Sequence, residues 1–163
     1  MIRDAVEGDS EAIAHIYNHY IENTAISFEE KPVLGSDIQG RIENVQGAGL
    51  PWLVAVEEGA VVGYAYATKW KERSAYRFSV EVSVYLSNQA HGRGLGAKLY
   101  ETLFSTLTEC GIHAVMGGIT LPNPASVALH EKMGMKKVAH FEKVGFKFDQ
   151  WHDVGYWQLN LAI

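Results

Sequence analysis

Gln89-Ala90-His91-Gly92-Arg93-Gly94-Leu95-Gly96-Ala97 decides the reading of this chain. Upstream, residues 78–86 alternate Val80, Val82, Val84 and Leu86 with Glu81, Ser83 and Tyr85, the period of a two-faced strand. Downstream, Leu95, Leu99, Leu103 and Leu107 recur every fourth residue, the period of a helix with one buried face, closed by Gly111. Three glycines at alternate positions thus lie where a strand becomes a helix. Glycine lets backbone approach a ligand closely, and a helix start offers unpaired N–H groups at the positive end of a dipole. That combination suits a pyrophosphate, and Arg93 adds a formal charge. The spacing is Gly-x-Gly-x-Gly, so it fits neither Gly-x-Gly-x-x-Gly nor a phosphate loop ending in Gly-Lys-Ser/Thr. A turn needed only for tight packing is the competing explanation.

Outward from this turn the elements follow in order. Residues 2–5 are a short strand. Ala12, Ile13, Ile16, Tyr17, Tyr20 and Ile21 mark a first helix, with Asp9 or Ser10 as its cap. A weaker helix runs from Ser36 to the Gly47/Gly49 region. Residues 52–56 and 61–68 form a hairpin, and 70–77 is a polar, basic connection. After the glycine turn come a strand at 113–119, a helix opened by Asn123-Pro124 and stopped by Gly134, and strands at 136–144 and 154–161 joined across 145–153. The order β-α-α-β-β-β-α-β-α-β-β predicts one α/β domain over residues 1–163, a mixed sheet with helices on both faces.

Composition excludes several classes. The 163 residues carry 14 basic and 19 acidic side chains, a formal charge of −5, which argues against nucleic-acid binding. No apolar run reaches the ~20 residues of a membrane span, and the start Met1-Ile2-Arg3-Asp4 shows no secretory signal, so a cytoplasmic protein is expected. A lone Cys110 excludes an internal disulfide and a cysteine-rich zinc site, and is read as core. His15 and His19 have a metal-friendly spacing without an evident third ligand, so no metal is expected. Trp151, His152 and Trp157 belong either to the core or to a subunit contact.

Gln-x-x-Gly-x-Gly after a strand resembles the acetyl-CoA signature of the GNAT N-acetyltransferases, and the element order is similar to that fold along the whole chain. The runs Trp70-Lys71-Glu72-Arg73-Ser74-Ala75-Tyr76, Val80-Glu81-Val82-Ser83-Val84-Tyr85 and 145–159 resemble the phosphinothricin and methionine sulfoximine acetyltransferases of that superfamily. Tyr17-Asn18-His19-Tyr20-Ile21 and Leu121-Pro122-Asn123-Pro124 add to the likeness. The resemblance implies a splayed sheet and acetyl-CoA as co-substrate. The backbone at Val84, Tyr85 and Leu86 would pair with the pantetheine arm, and amides from Gly92 through Arg93, Gly94, Leu95 and Gly96 to Ala97 would hold the pyrophosphate. Asn123 would touch the coenzyme, although a helix cap explains it equally.

For chemistry, the resemblance assigns Glu81 as the base that takes the amine proton in a direct ternary-complex attack. Alternation alone also permits a solvent-facing residue. His130 stands where many relatives carry a tyrosine that protonates the departing sulfur, and its duty is left open between acid, base and coenzyme contact. Lys69, Lys71, Arg73 and Arg77 against Glu72 make a local charge of about +3 by simple count of side chains. A solvated loop would look the same. With the resemblance, Lys71, Arg73 and Tyr76 would grip a small acidic amino acid, joined by Phe28, Val82 and Ser83. Such enzymes are often dimers, so a homodimer is expected. The competing readings are the same fold acting on a peptide N-terminus or another amine, and an acyl-CoA-binding module without catalysis.

Overall fold

The computed structural model describes residues 1–161. Seven strands form one sheet in the order β1-β2-β3-β4-β5-β7-β6, where β1 is Ile2–Asp4, β2 Trp52–Glu57, β3 Ala60–Lys69, β4 Ser79–Leu86, β5 Ala114–Leu121, β6 Lys136–Lys147 and β7 Gln150–Asn160. Every pairing is antiparallel except β4 with β5. The helices are α1 (Ser10–Asn23), α2 (Gly35–Gly47), α3 (Leu95–Glu109) and α4 (Pro124–Lys132).

Strand alternation distributes the core over two faces. Trp52, Val54 and Tyr64 pack against Ile13, Ile21, Ile38 and Ile42 from α1 and α2. Their neighbours Leu53, Ala55, Ala65 and Ala67, with Val80 and Val82 of β4, pack against Leu99, Leu103 and Leu107 of α3. Each fully buried leucine contributes roughly 1.5–3 kcal/mol of transfer free energy, so the four-residue repeat is what fixes α3 to the sheet. The same alternation turns Glu81, Ser83 and Tyr85 to the α1 side.

The parallel pair is short. Ladder partners run only Ser79–Ala114, Val80–Val115 and Glu81–Met116. Beyond Glu81 the two strands part, so β4 from Val82 onward bonds only to β3. The sheet therefore opens into a V with Glu81 at its fork, and the β5-facing backbone of residues 82–86 has no strand partner.

Several expectations change. Residues 145–153 are not a long connection: β6 and β7 continue into a tight hairpin, with Phe146 opposite Trp151 and Lys147 opposite Gln150. The turn falls at Phe148 and Asp149, both at positive φ (55° and 56°), as a two-residue hairpin turn requires. Cys110 is exposed, because it follows Leu107, the last buried position of α3. Asp9 does not cap α1; its carboxylate accepts from the Val6 amide at 2.8 Å and from Arg3 at 2.8 and 3.0 Å. Ser10 Oγ donates back to the Glu7 carbonyl. Trp157 belongs to the core, whereas Trp151 is exposed.

Candidate active site

The glycine turn forms the mouth of a groove. Gly92 and Gly94 adopt left-handed φ values of 79° and 74°, which turn the chain sharply from the end of β4 into α3. Gly94 is the residue before the helix, and no side chain caps its first turn. The first helical amide to find a carbonyl in the chain is that of Lys98, on Gly94 at 3.1 Å. The amides of Leu95, Gly96 and Ala97 are thus free to receive an anion. A methyl group on Gly96 would stand 3.1 Å from Leu129, so glycine also lets α4 close against this turn.

This cradle lines a groove of about 280 Å³ with Val84, Tyr85, Leu86, Gly92, Asn123 and Leu129 among its walls. Of the residues expected at the coenzyme, all but Arg93 line this groove; the Arg93 guanidinium turns to pair with Glu57 at 2.8 Å, while its backbone stays in the turn between Gly92 and Gly94. His91 and Lys132 supply basic side chains to the groove instead. Asn123 is a helix cap, its Oδ1 accepting from Ser126 N at 3.2 Å, and it also reaches the groove wall. Tyr20, from α1, donates to the Leu86 carbonyl and meets His91 Nε2 at 3.2 Å, which ties the end of β4 to the turn.

On the α1 side of the fork lies a second, larger hollow of about 720 Å³. Glu81, Ser83 and Tyr85 line it from β4, Gly118 and Thr120 from β5, Tyr156 from β7, and Ile26, Ser27, Phe28 and Glu29 from the segment after α1. Glu81 is half-buried; burial pushes its carboxyl above the ordinary glutamate range, and Lys71 opposes that shift more weakly. No hydrogen bond to a side chain or backbone holds this carboxylate among the described residues. A carboxyl so placed is free to accept a proton from a molecule in the hollow.

A narrow junction joins the two spaces. It shares Ile26, Tyr85, Asn123 and Ser126 with the groove, and Ile26, Ser83, Gly118 and Thr120 with the hollow. His130 lines it, buried, its ring against Gly117, where a methyl group would stand 2.8 Å away. Nδ1 donates to the Ser126 carbonyl at 2.7 Å, which leaves Nε2 bare to accept from the Tyr100 hydroxyl at 3.1 Å. Burial lowers the imidazole's proton affinity, so the ring is neutral near pH 7. Both ring nitrogens already have partners, an arrangement that favours an orienting role over a standing acid.

The basic segment departs from expectation. Lys71 stacks its ammonium over Trp70 at 5.1 Å and lies near enough to act on Glu81. None of Lys71, Arg73 and Tyr76 lines the hollow. Tyr76 faces a separate apolar cavity with Trp70, Val138 and Phe141, because the segment's short 3-10 turn swings it to the far side of Tyr156. Val82 also differs: strand alternation buries its side chain under α3, and it borders the junction but does not line the hollow. Phe28 does stand on the wall of the hollow, over Gly145 and beside His152. Tyr17, Ser27, Glu29, Thr120 and Tyr156 were not foreseen: they converge from α1, an irregular segment, β5 and β7, and no local pattern marks them.

A parallel pair that splays, with an anion cradle at one end of the opening and a carboxylate at its fork, defines a transfer site for a long donor bearing a diphosphate. The chain matches the acetyltransferase (GNAT) domain over residues 2–155 and belongs to that family. It is 41% identical over 162 residues to phosphinothricin N-acetyltransferase of Streptomyces viridochromogenes, covering 99% of this chain and 88% of that one. It is 38% identical over 160 residues to the L-methionine sulfoximine/L-methionine sulfone acetyltransferase of Salmonella typhimurium, covering 98% and 94%. The crystal structure of a phosphinothricin acetyltransferase from Sinorhizobium meliloti in complex with acetyl-CoA superposes with a TM-score of 0.96 at 37% identity, covering 99% of this chain and 88% of that one.

Proposed function

We propose that this enzyme transfers acetyl from acetyl-CoA to the α-amine of a small amino acid whose side chain is acidic or bears a sulfoximine or sulfone, as in phosphinothricin and methionine sulfoximine. The observation that carries this reading is the continuous passage from the glycine cradle, through the junction at His130, to the hollow above Glu81. The free amides of Leu95, Gly96 and Ala97 fit a diphosphate, and the unpaired edge of β4 fits an arm that bonds like an added strand. Acetyl-CoA supplies the activated acetyl thioester.

The chain's own groups do the rest. The β4 backbone beyond Val82 orients the donor toward the fork. Glu81 takes the proton that the ammonium of the acceptor must lose before it can attack. A free α-amine has an ordinary pKa near ~7.7–8.0, so a carboxylate raised by burial is better matched to it than an exposed one. Tyr85 and Phe28 form apolar parts of the hollow's wall. His130, fixed by Tyr100 and Ser126, holds the junction wall in one orientation.

The names of the relatives support the acceptor class, and the carboxylate at the fork supports catalysis over mere coenzyme binding. An amine panel assayed by thiol release is expected to give turnover with phosphinothricin, methionine sulfoximine and methionine sulfone, and little with a polyamine or a peptide N-terminus. Faster release with peptides would overturn the acceptor assignment; binding without release would favour a coenzyme-binding module. The reading includes a homodimer, for which exposed Phe146, Phe148 and Trp151 near the β6–β7 turn offer apolar surface. Sedimentation velocity at micromolar concentration is expected to give twice the chain mass, and a monomer mass would remove the dimer.

A further inference from the structure

The hollow contains a second carboxylate that the transfer does not use. Glu29 sits on its wall, in the irregular segment between α1 and α2. Among the charged side chains lining the hollow there are only two, Glu29 and Glu81, and no lysine or arginine. An acceptor with an acidic side chain would meet two negative charges there, at a place half-shielded from solvent where charges act strongly. The chain answers with a cation placed behind the wall. Arg41 reaches from α2 and grips Glu29 with both arms of its guanidinium, Nη1 to Oε2 at 2.9 Å and Nη2 to Oε1 at 2.7 Å. Its guanidinium also lies 5.9 Å from the centre of the Tyr17 ring, and the Tyr17 hydroxyl donates to the same carboxylate. The buried Lys147 lies further back, its ammonium donating to the Ser27 carbonyl at 2.7 Å.

We propose that the Arg41–Glu29 pair is a specificity device: Arg41 neutralises the Glu29 wall of the acceptor hollow, so that Glu81 is the negative charge that remains on that wall and acceptors with anionic side chains are admitted. The inference rests on the acceptor class proposed above. The planar, bidentate grip explains why an arginine stands at this position: it cancels charge in a fixed place and keeps its other face off the hollow. Arg41 is a positioning residue, since it does not line the hollow itself.

The test is the ratio of KM for phosphinothricin, whose side chain is anionic, to KM for methionine sulfone, whose side chain is neutral. Arg41→Gln is expected to raise that ratio about tenfold, the order that one unpaired charge produces at a half-buried site. Glu29→Gln combined with Arg41→Gln is expected to return the ratio to within about twofold of wild type, because charges removed together leave the wall neutral. A merely structural role for the pair would raise both KM values together and would not be rescued by the double variant. An unchanged ratio in Arg41→Gln, or a double variant no better than the single one, overturns the inference while leaving the acceptor class intact. A wild-type enzyme that turns over neither amino acid overturns both.

Discussion

Glu81→Gln is expected to lower kcat/KM by about 10²–10⁴-fold while leaving acetyl-CoA affinity within about twofold of wild type, as loss of a general base without loss of shape requires. The side chain keeps its size and its place at the fork, and the groove walls do not include it. Rate profiles against pH add an independent readout. Since burial raises the Glu81 carboxyl above the ordinary value, the acid limb of kcat/KM in the wild-type enzyme is expected to lie above pH 4.5. That limb should vanish in the glutamine variant. The linkage runs in the opposite direction for stability. A carboxyl whose folded pKa exceeds its unfolded one lends stability below the unfolded pKa and loses it as pH rises through the folded pKa. At neutral pH the ionised Glu81 is therefore a net cost to the fold, and the variant should melt at a higher temperature than wild type. Unchanged turnover would remove Glu81 from the mechanism; loss of coenzyme binding alongside turnover would place it in the scaffold.

How much of this was legible from the amino acids depends on the range of the interaction. The switch from period two to period four across 89–97 located the coenzyme side, because alternation, leucine spacing and left-handed glycines are all local. Asn123-Pro124 gave the start of α4 for the same reason. Where the local signal was ambiguous, the reading slipped. Gly145, Asp149 and Asp153 look like connection residues, yet ladder bonding to β7 carries strand through most of that run. The Arg93 side chain sits in the right sequence to add charge to a phosphate contact, but Glu57 at the β2–β3 hairpin pairs with its guanidinium, a partner no periodicity reveals. The walls of the acceptor hollow are the extreme case. Tyr17, Glu29 and Arg41 meet from two helices and a segment without regular structure, and Lys147 arrives from the far hairpin. The basic run at 69–77 is the conspicuous charge feature, yet the ion pair behind the hollow's wall, Arg41 with Glu29, is one that composition cannot distinguish from solvated surface.

Gly94→Val provides the sharpest test of the coenzyme cradle. A methyl group at Gly94 meets no atom within 4 Å, so the first carbon of the new side chain has open space around it. What it introduces is strain, because a β-branched residue at φ 74° costs roughly 1–2 kcal/mol relative to glycine, and more if its rotamers are also restricted. The free protein can shed that strain by rotating the turn out of the left-handed region. Doing so swings the amides of Leu95 and Gly96 away from a common point, and binding a diphosphate must then restore the strained turn. The Kd for acetyl-CoA is accordingly expected to rise up to about 30-fold, the factor equivalent to ~2 kcal/mol, with Tm lowered by only a few degrees at most for a domain of this size. Gly94→Asn separates backbone from bulk: asparagine tolerates the left-handed conformation, so it should recover most of the affinity even though its side chain is as large. Calorimetric titration of both variants reads the difference directly. Equal weakening by valine and asparagine would mean that space above the turn, rather than the aim of its amides, holds the coenzyme, and no weakening by either would move the diphosphate away from this helix start.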